Sequence, residues 1–542
     1  MKKNTLIIAF FTTLALSSCY DDESTLPENS IDGVELNITE AEKIIRVGYK
    51  EQLDIVPNLT RNGKADDTGL VYEWAINMLP GWSKTEYEVI GTEKELHTVL
   101  DNAISNDSYY LRLLVTDTQN QDLQYSFLYE VFVQPSMLDG LLICDTKDGQ
   151  TSDLNLIMNK QLTSFYDKEE KVFRNILEGN EYPGLVKYMA PASAGYYPGT
   201  NMMWVVDENE KAGAYETMNF TLSDMNVCFP VYQPESVSAV MRIGQYICSI
   251  TDMGFYAVNY VNFPSSYFGW PSASASAYSI DNGIFAATSA SQVDNGIYAL
   301  AAWFCDEADA FISGDFSFSG AAAVPFNNPA GYDLSNKRAV CGGMSVNEYT
   351  PTFLLKDEVT GEYTIYTLSR QKDAQGEYDA DWNWIETVPA IDSSIKAHAV
   401  PAEGKALLDK AVATGFACLE SILYVATEEG VYTINFAGAQ PTVNSAVQFS
   451  ATGEKITGMK LYQQGMYITE HDNVMNPEFS DNGGWEELSL NNRAVVVTTQ
   501  KGNEGVVYVV PMIRFGTGDL DASSALRYDG FGRILAVSTT CY

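Results

Sequence analysis

Two stretches of the 542-residue chain are near copies of each other: Thr251-Asp252-Met253-Gly254-Phe255-Tyr256-Ala257-Val258-Asn259-Tyr260 and Thr427-Glu428-Glu429-Gly430-Val431-Tyr432-Thr433-Ile434-Asn435-Phe436. In each, an acid-x-Gly turn, with glycine expected at positive φ, leads into an alternating strand with two distinct faces. Weaker hairpins of this kind occupy 141–157, 202–220, 352–368 and 494–510, and Gly296-Ile297-Tyr298-Ala299 marks one more, which makes seven. Gly254 and Gly430 are separated by three steps of roughly 59 residues, the long end of propeller-blade spacing. Short apolar-aromatic strands with no long amphipathic helix to cover them can hide both faces only against one another, as radially stacked sheets do. Residues 136–542 are therefore expected to form a β-propeller-like domain of seven blades. Arg533-Ile534-Leu535-Ala536-Val537 would complete the first blade, and 405–412 reads as a single short helix.

The text from 34 to 135 is different. Short β-runs at 34–38, 43–47, 52–57, 70–76, 109–117 and 125–133 alternate with period two and are separated by turns, which predicts an antiparallel sandwich of about 100 residues. Tyr72-Glu73-Trp74 resembles the Tyr-x-Trp core strand of PKD-like immunoglobulin-type domains. Leu111-Arg112-Leu113-Leu114-Val115-Thr116-Asp117 resembles their later x-L-x-V-x-D strand, in the expected order. The Phe-Gly-Asp-Gly turn of many such domains is replaced by Asn77-Met78-Leu79-Pro80-Gly81-Trp82, so no loop function carries over with it.

At the head of the chain, Lys2 and Lys3, an apolar run from Leu6 to Leu16 and two serines form a secretory signal, too short to span a bilayer. Leu16-Ser17-Ser18-Cys19 resembles the bacterial lipobox, which implies that residues 1–18 are removed and that the Cys19 thiol carries lipid. Residues 19–33, with the acids Asp21, Asp22 and Glu23 and then Pro27, read as a solvated tether. The placement of the acids resembles the export signal that moves Bacteroidetes lipoproteins to the outer face of the outer membrane; a polar linker with incidental acids is the other reading.

Loss of Lys2 and Lys3 takes the net charge from −38 to −40. Such a field disfavours nucleic acids and anionic headgroups, leaving the lipid as the sole membrane anchor. Hydrophobic residues make up 46% of the chain, enough for more than one core. The seven cysteines beyond Cys19 form no Cys-x-x-Cys pair and mostly sit in apolar strings, so buried thiols in strands are expected.

Chemistry is sparse. Neither His-Glu-x-x-His nor Gly-x-Ser-x-Gly occurs, and His97, His398 and His471 are the only histidines. His97 falls in the sandwich, and His398 and His471 read as surface or turn residues. Asp145 to Asp153 partly imitates a calcium loop, but Lys147 occupies a ligand position and a polar hairpin turn is preferred; Asp306-Glu307-Ala308-Asp309 reads as a solvated loop. No cofactor, metal or catalytic residue is assigned. Aromatics in polar settings are the best functional pointers: Trp382 and Trp384 in Asp381-Trp382-Asn383-Trp384, Trp270 in a Ser/Ala/Gly-rich loop, and Trp485 after Gly483-Gly484. Each could stack on a sugar or grip a peptide side chain, or, for Trp384, belong to a strand core.

Lipobox, acidic tether, Tyr-x-Trp sandwich and a β-repeat region ending Gly530-Phe531-Gly532-Arg533-Ile534-Leu535-Ala536-Val537 together resemble the PKD-like lipoproteins of Bacteroidetes. The resemblance implies a surface-exposed outer-membrane lipoprotein beside a SusC/SusD-like pair, importing oligosaccharides or peptides. A non-catalytic ligand-capture or docking role follows. A propeller-type glycoside hydrolase or lyase using paired acids, and a structural spacer, remain as alternatives.

Overall fold

The computed structural model describes residues 33–48, 51–77, 87–100, 107–134, 137, 140–164, 166, 168–193, 201–216, 220–231, 233–243, 246–259, 284–287, 299–317, 320–345, 350–369, 374–379, 382–464, 488–514 and 516–540. The signal and tether text at 1–32 lies outside them. The chain divides into two compact units, 1–136 and 137–542, and the described residues are all-β apart from short helices.

The first unit is built on a five-stranded sheet ordered Ile44–Gly48, Leu123–Gln134, Asp107–Asp117, Leu70–Asn77, Glu88–Gly91. Gln52–Ile55 pairs with Leu96–Val99, and Val34–Leu36 with Leu59–Arg61. The sheet is not wholly antiparallel as expected: Ile44–Gly48 runs parallel to Leu123–Gln134. Alternation explains the core. Leu111, Leu113 and Val115 point inward from one long strand and meet Trp74 and Ile76 from its neighbour. Trp74 is fully buried, with its indole N–H donating to the carbonyls of Glu93 (3.1 Å) and Lys94 (3.2 Å) and its ring 5.7 Å from Tyr129. Asp117, the acid that ends the x-L-x-V-x-D strand, is buried and paired with Arg61 at 3.0 Å.

In the second unit seven sheets of three or more strands follow one another among the described residues. The first is ordered Lys171–Phe173, Asp153–Met158, Leu141–Thr146, Arg533–Thr539, so a strand from the end of the chain pairs beside the strand that opens the unit. The next six start with Val186–Ser193, Val237–Ile243, Phe285–Ala287, Lys337–Ser345, Ala411–Phe416 and Lys455–Leu461. No sheet closes on itself through hydrogen bonds among the described residues.

Packing follows from the pleat. Strands that read as unbroken apolar runs are buried on both faces, and successive side chains go to different cores. Leu142 and Cys144 pack toward the second sheet, while Leu141 and Ile143 pack toward the seventh. Likewise Trp303 faces the third sheet and Phe304 the fifth; Val425 faces the fifth and Tyr424 the seventh. Seven separate clusters arise in this way, one for each consecutive pair of sheets and one joining the seventh to the first.

The first strands of the sheets lie side by side. Val186–Ser193 touches both Arg533–Thr539 and Val237–Ile243, and Lys337–Ser345 touches Phe285–Ala287 and Ala411–Phe416. Lys455–Leu461 and these strands other than Val237–Ile243 line a cavity of about 320 Å³.

The near-repeats occupy equivalent places: Gly254–Asn259 and Val431–Asn435 are the third strands of the third and sixth sheets. Gly430, however, is not among the positive-φ glycines. Its constraint is space: a Cβ there would lie 2.8 Å from Val447 Cγ1, on the fourth strand of the same sheet. The short helix is Ala402–Leu408, earlier than 405–412, because Ala411 already opens a strand. His398 is neither surface nor turn; it lies half-buried on Ser394–Ala399 with its ring 6.2 Å from Phe436.

Cys144, Cys228, Cys248, Cys305, Cys341 and Cys418 are free and buried, and Cys541 lies outside the described residues. The 145–153 text is a hairpin turn held by Asp148, whose Oδ1 accepts the N–H groups of Gln150 and Thr151 at 2.8 Å each. These bonds hold its carboxyl far below the usual carboxylate range. Asp306 to Asp309 forms the turn between Ala299–Cys305 and Ala310–Ser317.

Candidate functional site: an aromatic hairpin on the fifth sheet

Tyr363–Ser369 and Ser394–Ala399 are neighbours in the fifth sheet, paired up to Ser369↔Ser394. Within the 370–393 stretch that separates them in sequence, Gln375–Tyr378 pairs with Trp384–Val388 as a two-stranded hairpin of its own. Local chemistry explains the turn. Asp379 Oδ1 accepts the backbone N–H of Asn383 at 2.8 Å, the Asp379 N–H donates to the Asn383 carbonyl at 3.0 Å, and the Trp382 N–H donates to the Asp379 carbonyl at 3.0 Å. Trp382 sits at φ +63°, a left-handed conformation that a bulky residue adopts only where the turn imposes it.

The consequence is an aromatic cluster in water. Tyr378 and Trp384 are cross-strand partners on one face, edge-to-face at 5.3 Å, and Trp382 lies 6.0 Å from Tyr378. Trp382 is 81% exposed, Tyr378 62% and Trp384 48%, with Trp384 covering Gly376. Trp384 is thus not strand core. Ile385, Val388 and Ile391 are exposed beside it, so the hairpin carries a run of apolar side chains that the fold does not use. Rings held in place by turn hydrogen bonds and by each other lose little entropy when a flat apolar partner stacks on them.

Of the other residues singled out in the sequence, Cys19, Trp270, Trp485 and His471 lie outside the described residues, so the hairpin brings together Trp382 and Trp384 alone. Tyr378, the residue that joins the two indoles, was missed; its signal was the alternation Tyr378, Asp379 to Asn383, Trp384 around a turn. His97 is exposed on the first unit, with Nδ1 2.7 Å from Asp54 Oδ1 and Nε2 3.3 Å from Glu95 Oε2. Those two carboxylates raise its pKa above the ordinary histidine value.

Among the described residues no three His, Cys, Asp or Glu side chains are grouped so as to hold a metal ion, and no helix is long and apolar enough to cross a membrane. The described residues lining the 320 Å³ cavity include no Asp or Glu.

The sequence matches none of the curated proteins with which it was compared. Among solved structures, apo AztD from Citrobacter koseri is similar over 87% of this chain and 98% of its own, at 8% identity and a TM-score of 0.35. The complex of the fission yeast SREBP–SCAP binding domains is similar over 67% of this chain and 91% of its own, at 9% identity and a TM-score of 0.35. Likeness at that level carries no argument. The profile of the PKD-like family matches residues 19–181, a span that runs past the first unit through the first three strands of the opening sheet of the second. Residues 19–181 are therefore the part of this chain that is similar to the PKD-like family.

Proposed function

We propose that the chain is a non-catalytic, lipid-anchored accessory protein of the outer cell surface that captures oligosaccharides or peptides, or docks, for a SusC/SusD-like uptake complex. The observation that carries the reading is the exposed Tyr378–Trp382–Trp384 cluster on a hairpin that the fifth sheet does not need for its own pairing. Support for the anchor is the lipobox-like text before Cys19 and the acids at 21–23. Trp270 and Trp485 enter the proposal on sequence alone.

The second unit is read as a seven-bladed β-propeller. The support is the succession of seven sheets, the seven clusters between neighbours including seventh to first, and the pairing of Leu141–Thr146 with Arg533–Thr539. No described carboxylate lines the cavity, so nothing specific favours the hydrolase or lyase reading.

The test is calorimetric titration of the purified protein with oligosaccharide and peptide panels, beside a Trp382→Ala/Trp384→Ala variant and product analysis. Wild-type binding that weakens by about tenfold in the variant, with no products released, is the expected result. Equal binding by both proteins would remove the hairpin from the reading, and turnover would replace capture by catalysis. A spacer would bind no free ligand. For the anchor, Cys19→Ala is expected to abolish labelling at the surface of intact cells; unchanged labelling overturns it.

A further inference from the structure

The cavity enclosed by the first strands of the second unit has one charged side chain among its described lining residues, that of Lys460. It stands where the strand Lys455–Leu461 meets Arg533–Thr539, and its ammonium donates to the Val537 carbonyl at 3.4 Å. Lys460 is solvent-exposed, the water that reaches it being that of the cavity, and the walls of the cavity partly desolvate the ammonium. Gln463, Ser538 and Thr539 belong to the same corner, while the remaining lining is mostly apolar, with Tyr188 and Phe285 half-buried and their rings 6.3 Å apart. The site therefore has a cationic end and an apolar body.

Each class of occupant meets this arrangement differently. A neutral apolar molecule would strip water from the ammonium without replacing it. A cation would face a like charge. A phosphate would bring two charges to one lysine, inside a chain of net charge −38. A polymer does not fit a volume at the small end of ligand pockets. A monoanion with an apolar ring or chain satisfies both ends, since the ammonium carries three donors and Val537 accepts from one of them.

We infer that this cavity is a binding site for a small organic monocarboxylate with an apolar, ring-sized body, held by Lys460. The site is separate from the aromatic hairpin and does not depend on the function proposed for it. Burial lowers the pKa of the Lys460 ammonium to about 8, which leaves it mostly protonated at neutral pH.

Three probes with one ring system and different charge test the inference: indole-3-acetate, indole-3-acetamide and tryptamine, titrated calorimetrically into the full chain at pH 7. Indole-3-acetate is expected to bind in the sub-millimolar range, at least about tenfold tighter than the amide, with tryptamine weaker still. Lys460→Met should erase the preference for the anion and Lys460→Arg should keep it. The Trp382→Ala/Trp384→Ala variant should bind indole-3-acetate as the wild type does, and loss of binding there would assign the probe to the hairpin and overturn the inference. Equal affinity for acetate and amide, unchanged binding by Lys460→Met, or no saturation by any probe up to about 5 mM would also overturn it. The wild-type comparison needs no variant to fold.

Discussion

Lys460 also predicts a pH dependence. The groups that share its cavity stay neutral across the relevant range: burial pushes the Cys341 and Cys418 thiols up to about 12 and raises the Tyr188 phenol well above its ordinary value. The Tyr462 hydroxyl is turned toward the Leu162 carbonyl, at 3.5 Å. Among the described lining residues, titration between neutral and alkaline pH is therefore assigned to the lysine. Its folded-state pKa is lowered, so the ammonium is present below about 8 and lost as pH rises through that value. Affinity for indole-3-acetate should be flat below that point and fall by roughly tenfold per pH unit well above it, while Lys460→Arg should remain flat. Calorimetry across that range checks this. None of it was legible in Gly458-Met459-Lys460-Leu461, where a lysine between apolar residues reads as the exposed position of an ordinary edge strand. Its setting exists only because strands hundreds of residues apart, such as Val186–Ser193 and Arg533–Thr539, are brought beside it.

The aromatic hairpin is an element that can be removed. Ser369 and Ser394 already face each other in register, so replacing 370–393 by a two-residue turn joins strands that are paired in any case. The excised protein is expected to melt within a few degrees of the wild type, because exposed side chains contribute only about 0.5 kcal/mol each. It should also lose whatever glycan or peptide binding the wild type has. A collapse of thermal stability on excision would show that the hairpin is structural. Asp381-Trp382-Asn383-Trp384 was legible as aromatics in a polar setting, since four residues sufficed to see it. What single-sequence reasoning could not supply was the return of the chain to Tyr363–Ser369, a pairing fixed by register across the insertion. The parallel pairing of Ile44–Gly48 with Leu123–Gln134 escaped for the same reason, whereas Trp74 and Asp117 were found because each lies in a strand with its own local pattern.

The second unit as a whole was legible to the extent that its strands repeat. The seven hairpin texts fall one to each sheet, because period-two alternation and turn residues are local. The doubly buried faces were visible only as unbroken apolar runs, and which neighbour each face would meet was not. Gly532 marks the point where the late strand turns into the first sheet. Its N–H donates to Asp145 Oδ2 at 2.5 Å, and a Cβ on it would lie 2.3 Å from the Thr146 carbonyl oxygen. Gly532→Ala is expected to cost about 2 kcal/mol, seen as a lowered midpoint of urea unfolding. An unchanged midpoint would mean that the strand pairing yields at that point without loss.

The Gly140 N–H donates to the Thr540 hydroxyl at 2.8 Å across 400 residues of chain. Loop closure over such a distance is entropically slow, so the opening sheet should be the last to acquire native hydrogen-exchange protection during refolding. Until then Leu141–Thr146 presents a bare edge with the apolar run Leu141 to Cys144 along it, and that edge is where misassociation between half-made copies would begin.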